Sequence, residues 1–327
     1  MDSLLSEIKI LAIKKGYIVS LKSFFLAISF LFIVYSCEKD DPLINKDAEE
    51  VFISEFINDI NSDSLESNVI WLQDKVTRFA LCDNRKEIAI DIQNKFKSIG
   101  YQNSYLDSFY LPEYSTWQYN VIASIEGMVS PDSICILGAH YDSFAYEPDP
   151  MEKAPGAHDN ASGVAAVVEI ARIMKLKKYT PKSTIKFIAF AAEEIGLYGS
   201  NDYAMKASQK GEAIKLMLNE DMIAYEPSNE KSTWKVNIID YDNSVGLYLE
   251  ADELANKFTE LSTVNDNTYS NASDSYSFWI WGYKALFFIS YTEDAYYHTK
   301  NDFAKNCNFE YCREITKLSC AILLQNN

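Results

Sequence analysis

The chain has 327 residues, of which 48% are hydrophobic and 14% aromatic, with 11 glycines and 8 prolines. This composition supplies a large apolar core and excludes a disordered chain, a collagen and a small disulfide-stapled domain. Forty-seven acidic residues against thirty basic ones give a net charge of −17, which argues against nucleic acid or an anionic membrane face as a partner. The chain holds only three histidines, His140, His158 and His298. Any metal site must therefore be built mainly from carboxylates.

The N-terminal segment is predicted to direct export. Residues 24–35 form an apolar run that is too short to cross a bilayer, which takes ~20 residues, and is typical of a signal peptide. Ser36 and Cys37 resemble a bacterial lipobox, in which the cysteine is lipidated and becomes the new N-terminus. The tract at 38–41, in which three of four residues are acidic, resembles the export signal of surface lipoproteins. We therefore predict a lipid anchor at Cys37 and a location in the cell envelope, on the outer membrane and exposed at the cell surface. The alternative is an ordinary secretory signal with a chance cysteine.

The elements that follow change from helices to strands and then alternate. Apolar residues recur at three-to-four spacing between about residues 48 and 101, which predicts helices, and residues 103–127 alternate as strands do. Further strands are predicted at 134–139, 185–192, 216–218 and 285–290, and helices at 159–178 and 199–210. This alternation indicates a mostly parallel sheet covered by helices on both faces.

The domain organisation is predicted to be simple. We expect a signal peptide at 1–36, a polar tether at 37–46 and a single domain at 47–327, since no linker rich in proline or glycine divides the chain. Cys135 lies in an apolar strand and is expected to be buried. Cys307, Cys312 and Cys320 are close enough in sequence for one pair to form a disulfide, and the sequence does not decide which.

Polar side chains follow each predicted strand or end it. In an open α/β sheet these positions lie along the carboxyl edge, where ligands bind. Asp159 adds a further carboxylate at the start of a long helix. Two imidazoles and three carboxylates are thus expected to converge from separate segments: His140, Asp159, Glu194, Asp221 and His298.

This donor set indicates a centre of two zinc ions. One zinc takes four ligands, whereas five protein ligands with a bridging carboxylate suit two ions ~3.5–4 Å apart. Such a centre needs a base for the attacking water, and Glu193, next to a ligand, is the candidate. Asp142 lies two residues after His140 and is expected to hold the second ring nitrogen of that histidine.

The same residues stand in motifs that resemble those of the dizinc aminopeptidases of metallopeptidase family twenty-eight. The motifs occur in the family's order over about residues 65–325: Gly138–Ser143, Ala154–Gly163, Phe190–Ser200, Asn219–Met222, Ser273–Asp274 and Tyr297–Thr299. The resemblance implies a three-layer α/β/α sandwich with a mostly parallel mixed central sheet of the zinc-exopeptidase type. It also implies two zinc ions as cofactors and peptides as substrates.

The resemblance assigns a role to each site residue. One zinc is bound by His140 and Asp221, the other by Glu194 and His298, and Asp159 bridges them. Glu193 is the general acid and base, and Asp142 supports His140. A tyrosine near the second histidine stabilises the tetrahedral intermediate in many members, and Tyr297 is the candidate here, with Tyr291 and Tyr296 nearby.

Several residues near these motifs receive a plainer interpretation. Many members carry a histidine where Ser275 stands, so Asp274 is expected to keep only a supporting role. His158 is expected to be a bystander, and the acids at 293, 294 and 302 are expected to be ordinary surface residues. The aromatic residues at 278–283 are expected to pack in the core rather than to line a substrate pocket.

Three functions fit these observations. The favoured one is a zinc aminopeptidase that removes N-terminal residues from peptides outside the cytoplasm. The alternatives are a glutaminyl cyclase with a single zinc and a catalytically inactive binding lipoprotein. The segment Asp159–Gly163 favours the peptidase, and the complete set of ligands and base argues against the inactive protein. Aminopeptidase, dipeptidase and carboxypeptidase-type activities, the preferred N-terminal residue and the oligomeric state stay open.

Overall fold

The computed structural model describes residues 42–147 and 149–327. The predicted signal peptide and Cys37 lie outside the described residues. Residues 52–327 form one compact unit, and the architecture below is that of this unit. Helix α1 spans Pro42–Ile57, so it begins inside the segment predicted as a tether. Among the described helices, none combines the length and the apolar character needed to cross a bilayer.

The first part of the chain folds as predicted, with helices followed by a β-hairpin. Helices α2 (Ser62–Gln73) and α3 (Arg85–Ser98) continue the helical region. The Asn61 side chain accepts hydrogen bonds from the N–H groups of the first turn of α2, which is a favourable N-cap. Strands β1 (Tyr105–Leu111) and β2 (Thr116–Ile125) then pair antiparallel.

Six further strands follow: β3 (Ser130–His140), β4 (Ser183–Phe190), β5 (Ala213–Glu220), β6 (Lys235–Ile239), β7 (Ser262–Val264) and β8 (Ala285–Ser290). They complete an eight-stranded mixed sheet in the order β1-β2-β4-β3-β5-β8-β6-β7. The centre of the sheet is parallel and consists of β4, β3, β5 and β8, while β2 and β6 flank this centre in antiparallel pairing. The mostly parallel mixed sheet predicted from the sequence is confirmed.

Helices cover both faces of this sheet. Alternate residues of β3 point to opposite faces, so Cys135 and Leu137 join the larger apolar cluster while Ile134 and Ile136 join the smaller one. The remaining helices are α4 (Ser162–Leu176), α5 (Tyr198–Lys210), α6 (Val245–Phe258), α7 (Asp274–Ile280) and α8 (Phe309–Gln325). The larger cluster lies under α2, α3, α4, α6 and α8, and the smaller one under α5 and α7. The three-layer α/β/α sandwich is therefore confirmed.

Several predicted boundaries differ from the structure, and two of the differences lie at the carboxyl edge of the sheet. Helix α4 starts at Ser162 rather than at residue 159, because Asp159 and Asn160 have non-helical backbone angles. Strand β4 ends at Phe190, so the residues from 191 to 194 lie beyond the strand. In both places the chain leaves regular structure where the candidate ligands begin.

The cysteines and the aromatic cluster are placed as follows. All five cysteines that the structure describes are free thiols, so no disulfide joins Cys307, Cys312 or Cys320, and Cys135 is buried as expected. Phe278 belongs to the smaller apolar cluster, and Trp279, Trp281 and Tyr283 pack against it. The prediction that these aromatic residues pack in the core is confirmed.

Candidate metal centre

The parallel strands end at a cavity of about 610 Å³. All five candidate ligands line it, together with Glu193 and Tyr297. The sheet order explains this convergence, since β4, β3, β5 and β8 are consecutive neighbours and deliver their C-terminal residues to one edge.

The first group of ligands gathers around His140, the last residue of β3. Its Nε2 lies 3.1 Å from Asp221 Oδ1 and 3.3 Å from Asp159 Oδ1. Asp221 follows β5 directly, and its Oδ2 accepts a 2.6 Å hydrogen bond from the Ser273 hydroxyl. The three donor atoms therefore face one another within a buried space.

The second group gathers around His298. Its Nε2 lies 2.8 Å from Glu194 Oε2 and 3.2 Å from Asp159 Oδ2. Asp159 thus directs one carboxylate oxygen to each histidine. His298, Ala192 and Met222 all have positive φ angles of 52–60° although none is glycine, so strained backbone accompanies the ligands on three separate loops.

The arrangement fits two metal ions. Each group of three offers ligand atoms that all lie within 4.8 Å of one another, and Asp159 belongs to both groups. Glu194 Oε1 is buried and has no hydrogen-bond partner among the described residues, which leaves it available to a cation. Imidazole nitrogens and carboxylate oxygens are ligands that zinc accepts, and a bridging carboxylate is typical of two-ion centres.

The electrostatics of the site favour bound cations. Burial and the neighbouring Asp159 carboxylate together raise the pKa of Glu194 to about 8, although His298 and His140 oppose this shift. Burial alone lowers the pKa of His298, but its contacts with Asp159 and Glu194 outweigh burial and raise it to about 10. Against the effect of burial, the two histidines hold the pKa of Asp159 well below its ordinary value. Several carboxylates packed this closely cost free energy unless positive charge lies among them.

Asp142 supports the centre in a way that differs in detail from the prediction. His140 Nδ1 lies 3.2 Å from the Asp142 main-chain carbonyl and 3.6 Å from its carboxylate. The carboxylate instead accepts hydrogen bonds of 3.1 Å from the N–H groups of Glu193 and Glu194. Asp142 therefore orients His140 through its backbone and fixes the segment after β4 through its side chain.

Glu193 is placed as a general base would be. Its side chain is buried at the cavity wall, and its Oε2 lies 3.9 Å from His140 Nε2. Burial raises its pKa well above the ordinary value; His140 opposes this shift, whereas the Glu194 and Asp221 carboxylates add to it. A raised pKa makes a carboxylate a stronger base, which favours uptake of a proton from water.

Tyr297 stacks on His298, with 3.8 Å between the ring centroids. Burial and the nearby carboxylates raise the pKa of Tyr297, which keeps its hydroxyl protonated and able to donate. Tyr291 also lines the cavity, whereas Tyr296 does not.

Of the acids at 293, 294 and 302, which were predicted to be ordinary surface residues, Asp302 differs from that prediction. It is only 3% exposed, and its carboxylate accepts hydrogen bonds of 2.8 Å and 3.0 Å from the N–H groups of His158 and Asp159. Glu293 is exposed and Asp294 half-buried; both line the cavity, and neither belongs to a ligand group. The loop that carries His298 thus also positions Asp159.

His158 and Asp274 are both buried. His158 belongs to neither ligand group, but it lines the cavity, and its Nδ1 accepts a hydrogen bond from the N–H of Ala224. Burial lowers the pKa of His158 to about 4, so the ring is neutral. Burial raises the pKa of Asp274 to about 7 at the start of α7, where Ser275 contacts the Tyr241 hydroxyl.

Arg78 is the site neighbour that the sequence analysis missed. Its side chain is 1% exposed and donates hydrogen bonds to main-chain carbonyls of two ligand-bearing segments, at Tyr141 and at Pro155 and Gly156. The only local signal was a charged residue inside the sequence Val76–Ala80, which is otherwise mostly apolar.

Comparisons with known proteins agree with this geometry. The family model described as "Peptidase family M28" matches residues 120–323. A probable aminopeptidase of Saccharomyces cerevisiae is 30% identical over 189 residues, which are 54% of this chain and 50% of the yeast protein. The chain spans about half or less of the length of the curated relatives it matches.

Solved structures share the fold. The LapA aminopeptidase of Legionella pneumophila superposes with a TM-score of 0.74 at 22% identity, over 85% of this chain and 75% of that one. A glutaminyl cyclase of Bacteroides thetaiotaomicron gives 0.64 at 16% identity, over 82% of this chain and 99% of that one. The family match covers more than half of the chain and contains all five candidate ligands. The chain belongs to peptidase family M28.

Proposed function

We propose that this chain is a zinc-dependent aminopeptidase that holds two zinc ions and removes N-terminal residues from peptides. The observation that carries the proposal is the position of Asp159, whose two carboxylate oxygens face the two histidines while Glu193 lies beside them. One ion would be held by His140, Asp159 and Asp221, and the other by Asp159, Glu194 and His298.

The chain's own groups divide the work of peptide hydrolysis. When bound, a zinc pair lowers the pKa of a water and polarises the scissile carbonyl. Glu193 accepts the proton from the attacking water and gives it to the leaving amine. The Tyr297 hydroxyl donates a hydrogen bond to the oxygen that becomes negative. Asp142 keeps His140 and the segment of Glu193 and Glu194 in place.

We also propose that the protein is exported and anchored by lipid at Cys37 to the outer membrane, with its catalytic domain at the cell surface. The proposal is supported by the apolar run at 24–35, the cysteine after Ser36 and the mostly acidic tract at 38–41. Replacing Cys37 by alanine is expected to move the protein from the membrane fraction to the soluble fraction of the cell. Retention of the Cys37→Ala protein in the membrane fraction contradicts the anchor.

Fluorogenic aminoacyl substrates test the proposed activity. The zinc-loaded protein is expected to release the fluorophore, to lose this activity with a chelator and to regain it when zinc is returned. Absence of turnover by the zinc-loaded protein favours a binding lipoprotein. Cyclisation of N-terminal glutamine by a protein with one zinc favours a glutaminyl cyclase.

A further inference from the structure

We propose that Arg78 is a positioning residue for the metal centre. Its guanidinium donates hydrogen bonds to main-chain carbonyls and thereby sets the spacing between the segment that carries His140 and the turn that carries Asp159. This inference rests on the proposed zinc site. Arg78 lies outside the region that the family model matches, which begins at residue 120.

The hydrogen bonds of Arg78 join the two ligand segments directly. Nε donates to the carbonyl of Tyr141 at 2.8 Å, in the residue that follows His140. Nη1 donates to Pro155 at 2.7 Å and Nη2 to Gly156 at 2.8 Å, in the turn that leads to Asp159. A guanidinium presents five N–H donors in a rigid planar fork, so its bonds fix the distance between these carbonyls.

The backbone around Arg78 strengthens the same link. The N–H of Arg78 donates to the Ser143 hydroxyl at 3.1 Å, and that hydroxyl donates to the carbonyl of Ala154 at 2.7 Å. Thr77 forms a parallel β-bridge with Ala154. The chain around Arg78 is therefore bonded to residues on both sides of the gap between His140 and Asp159.

The turn itself has little room to adjust. Gly156 has φ +53°, and a Cβ there would lie 2.8 Å from Arg78 Nη2 and 2.5 Å from the Ser143 Cβ. On the other side of the turn, Asp302 accepts the N–H groups of His158 and Asp159. The guanidinium and the Asp302 carboxylate thus hold the two ends of the segment that delivers the bridging ligand.

Charge gives Arg78 a second effect on the centre. It lies near the carboxylates of Asp302, Asp142, Asp159 and Glu194, which favour its charged form against the effect of burial. The pKa of Arg78 is lowered by burial only to about 10, so the side chain is a cation at neutral pH. The positive charge of Arg78 offsets negative charge among the ligands. Arg78 does not line the cavity, so it does not occupy a ligand position.

The test compares zinc affinity in Arg78→Lys and Arg78→Met with that in the unsubstituted chain, measured by competition with a chromogenic chelator. Changes in groups that orient metal ligands cost ~10–100-fold in metal affinity. We expect a loss in this range for the lysine variant, which keeps the charge but lacks the fork, and a larger loss for the methionine variant.

Arg313→Lys is the matched control, since Arg313 also donates to a main-chain carbonyl, at Ile60, but belongs to α8 and contacts no ligand segment. Its zinc affinity is expected to stay within about twofold of the unsubstituted value, below the range for lost orienting groups. Thermal unfolding of the metal-free proteins measures how much each substitution destabilises the fold.

The outcomes separate this inference from the proposed function. If the unsubstituted chain binds no zinc, the proposed function fails. If it binds zinc and Arg78→Lys binds equally well, the positioning role is overturned. An equal loss of affinity in Arg313→Lys, at equal loss of stability, also overturns it. If the Arg78→Met protein does not fold, the zinc affinity of Arg78→Lys alone tests the positioning role.

Discussion

At the scale of single residues, two adjacent glutamates point to different histidines because the chain leaves β4 before it reaches them. Glu194 lies 2.8 Å from His298, whereas Glu193 lies 3.9 Å from His140. The Asp142 carboxylate accepts hydrogen bonds from both of their N–H groups and thereby fixes the two orientations. These orientations support the proposal that Glu194 is a ligand and Glu193 the base.

Replacing Glu193 by glutamine tests the base. We expect the Glu193→Gln protein to keep its zinc and to lose turnover by ~10²–10⁴-fold, the range for a lost general base. Zinc content and the rate on an aminoacyl substrate are measured together. Glu87→Gln, at an exposed position of α3, is the control and should change neither quantity. Near-full activity in Glu193→Gln would assign the base to another group.

Asp159 is the residue on which both ion positions depend. Asp159→Ala is expected to lose both zinc ions, while Asp221→Ala should lose only the ion on the His140 side, because Asp221 belongs to one ligand group alone. Zinc per chain, measured by plasma mass spectrometry after dialysis, checks both. The control is Asp266→Asn, because Asp266 is an exposed acid that lines the same cavity. This variant should retain two zinc ions. Two ions retained in Asp159→Ala would contradict the bridge.

At the scale of elements, the start of α4 is fixed to the end of β5. The Asn160 side chain donates to the carbonyl of Glu220 at 2.9 Å and accepts the N–H of Gly163 at 2.9 Å. A Cβ at Gly163 would lie 2.1 Å from the carbonyl oxygen of Glu220. The helix and the strand can therefore approach this closely only because residue 163 is a glycine. This contact brings Asp159 and Asp221 together.

Gly163→Ala tests that contact. We expect it to destabilise the fold by ~1–3 kcal/mol, as overpacking does, and to weaken zinc binding as well. Gly246→Ala in α6 is the matched control, because nothing lies within 4 Å of a Cβ there. The control should be neutral or stabilise the helix by up to ~1 kcal/mol. Chemical denaturation measures both, and equal effects of the two substitutions would contradict the close approach.

At the scale of the whole molecule, much of the fold and of the site could be predicted from the sequence. The strand predicted at 285–290 matches β8 at both ends, because a short apolar run between polar residues marks a buried parallel strand. Four of the five candidate ligands could be predicted because each ends a strand or follows one: His140, Glu194, Asp221 and His298. Asp159 could be predicted from its position just before a helix, although α4 begins three residues later than expected.

Other features depend on contacts that leave no local pattern. Arg78 and Asp302 act on the backbone of residues 141–159 from distant parts of the sequence, and their partners are main-chain groups that every residue possesses. Strands β6 and β7, and helices α6 to α8, were not predicted individually. Helix α4 starts later than predicted because Asp159 and Asn160 have non-helical backbone angles, and the Asn160 side chain bonds to Glu220, which is distant in sequence.

Zinc binding is expected to control the stability of the whole domain. A ligand that binds only the folded chain raises its stability by RT ln(1 + [L]/Kd). The raised pKa of His298, about 10, means that a proton stabilises the metal-free fold below pH ~6.5 and that this contribution is lost as the pH rises toward 10. Zinc must displace such protons, so its affinity should rise between pH 6 and 8, by about tenfold per pH unit for each proton displaced.

Melting temperatures with zinc and with chelator, at pH 6 and pH 8, check this expectation. The difference between the two conditions should be larger at pH 8. A difference that is equal at both pH values, or larger at pH 6, would show that no protonated ligand competes with the metal.

The central claim is that two zinc ions, bridged by Asp159, serve the removal of N-terminal residues. Digestion of a peptide library, read by mass spectrometry with zinc content measured on the same sample, tests it most directly. We predict peptides shortened one residue at a time from the N-terminus by a protein that carries two zinc ions per chain. Cyclised N-terminal glutamine with one zinc per chain, or an unchanged library with the protein fully loaded, would contradict the claim.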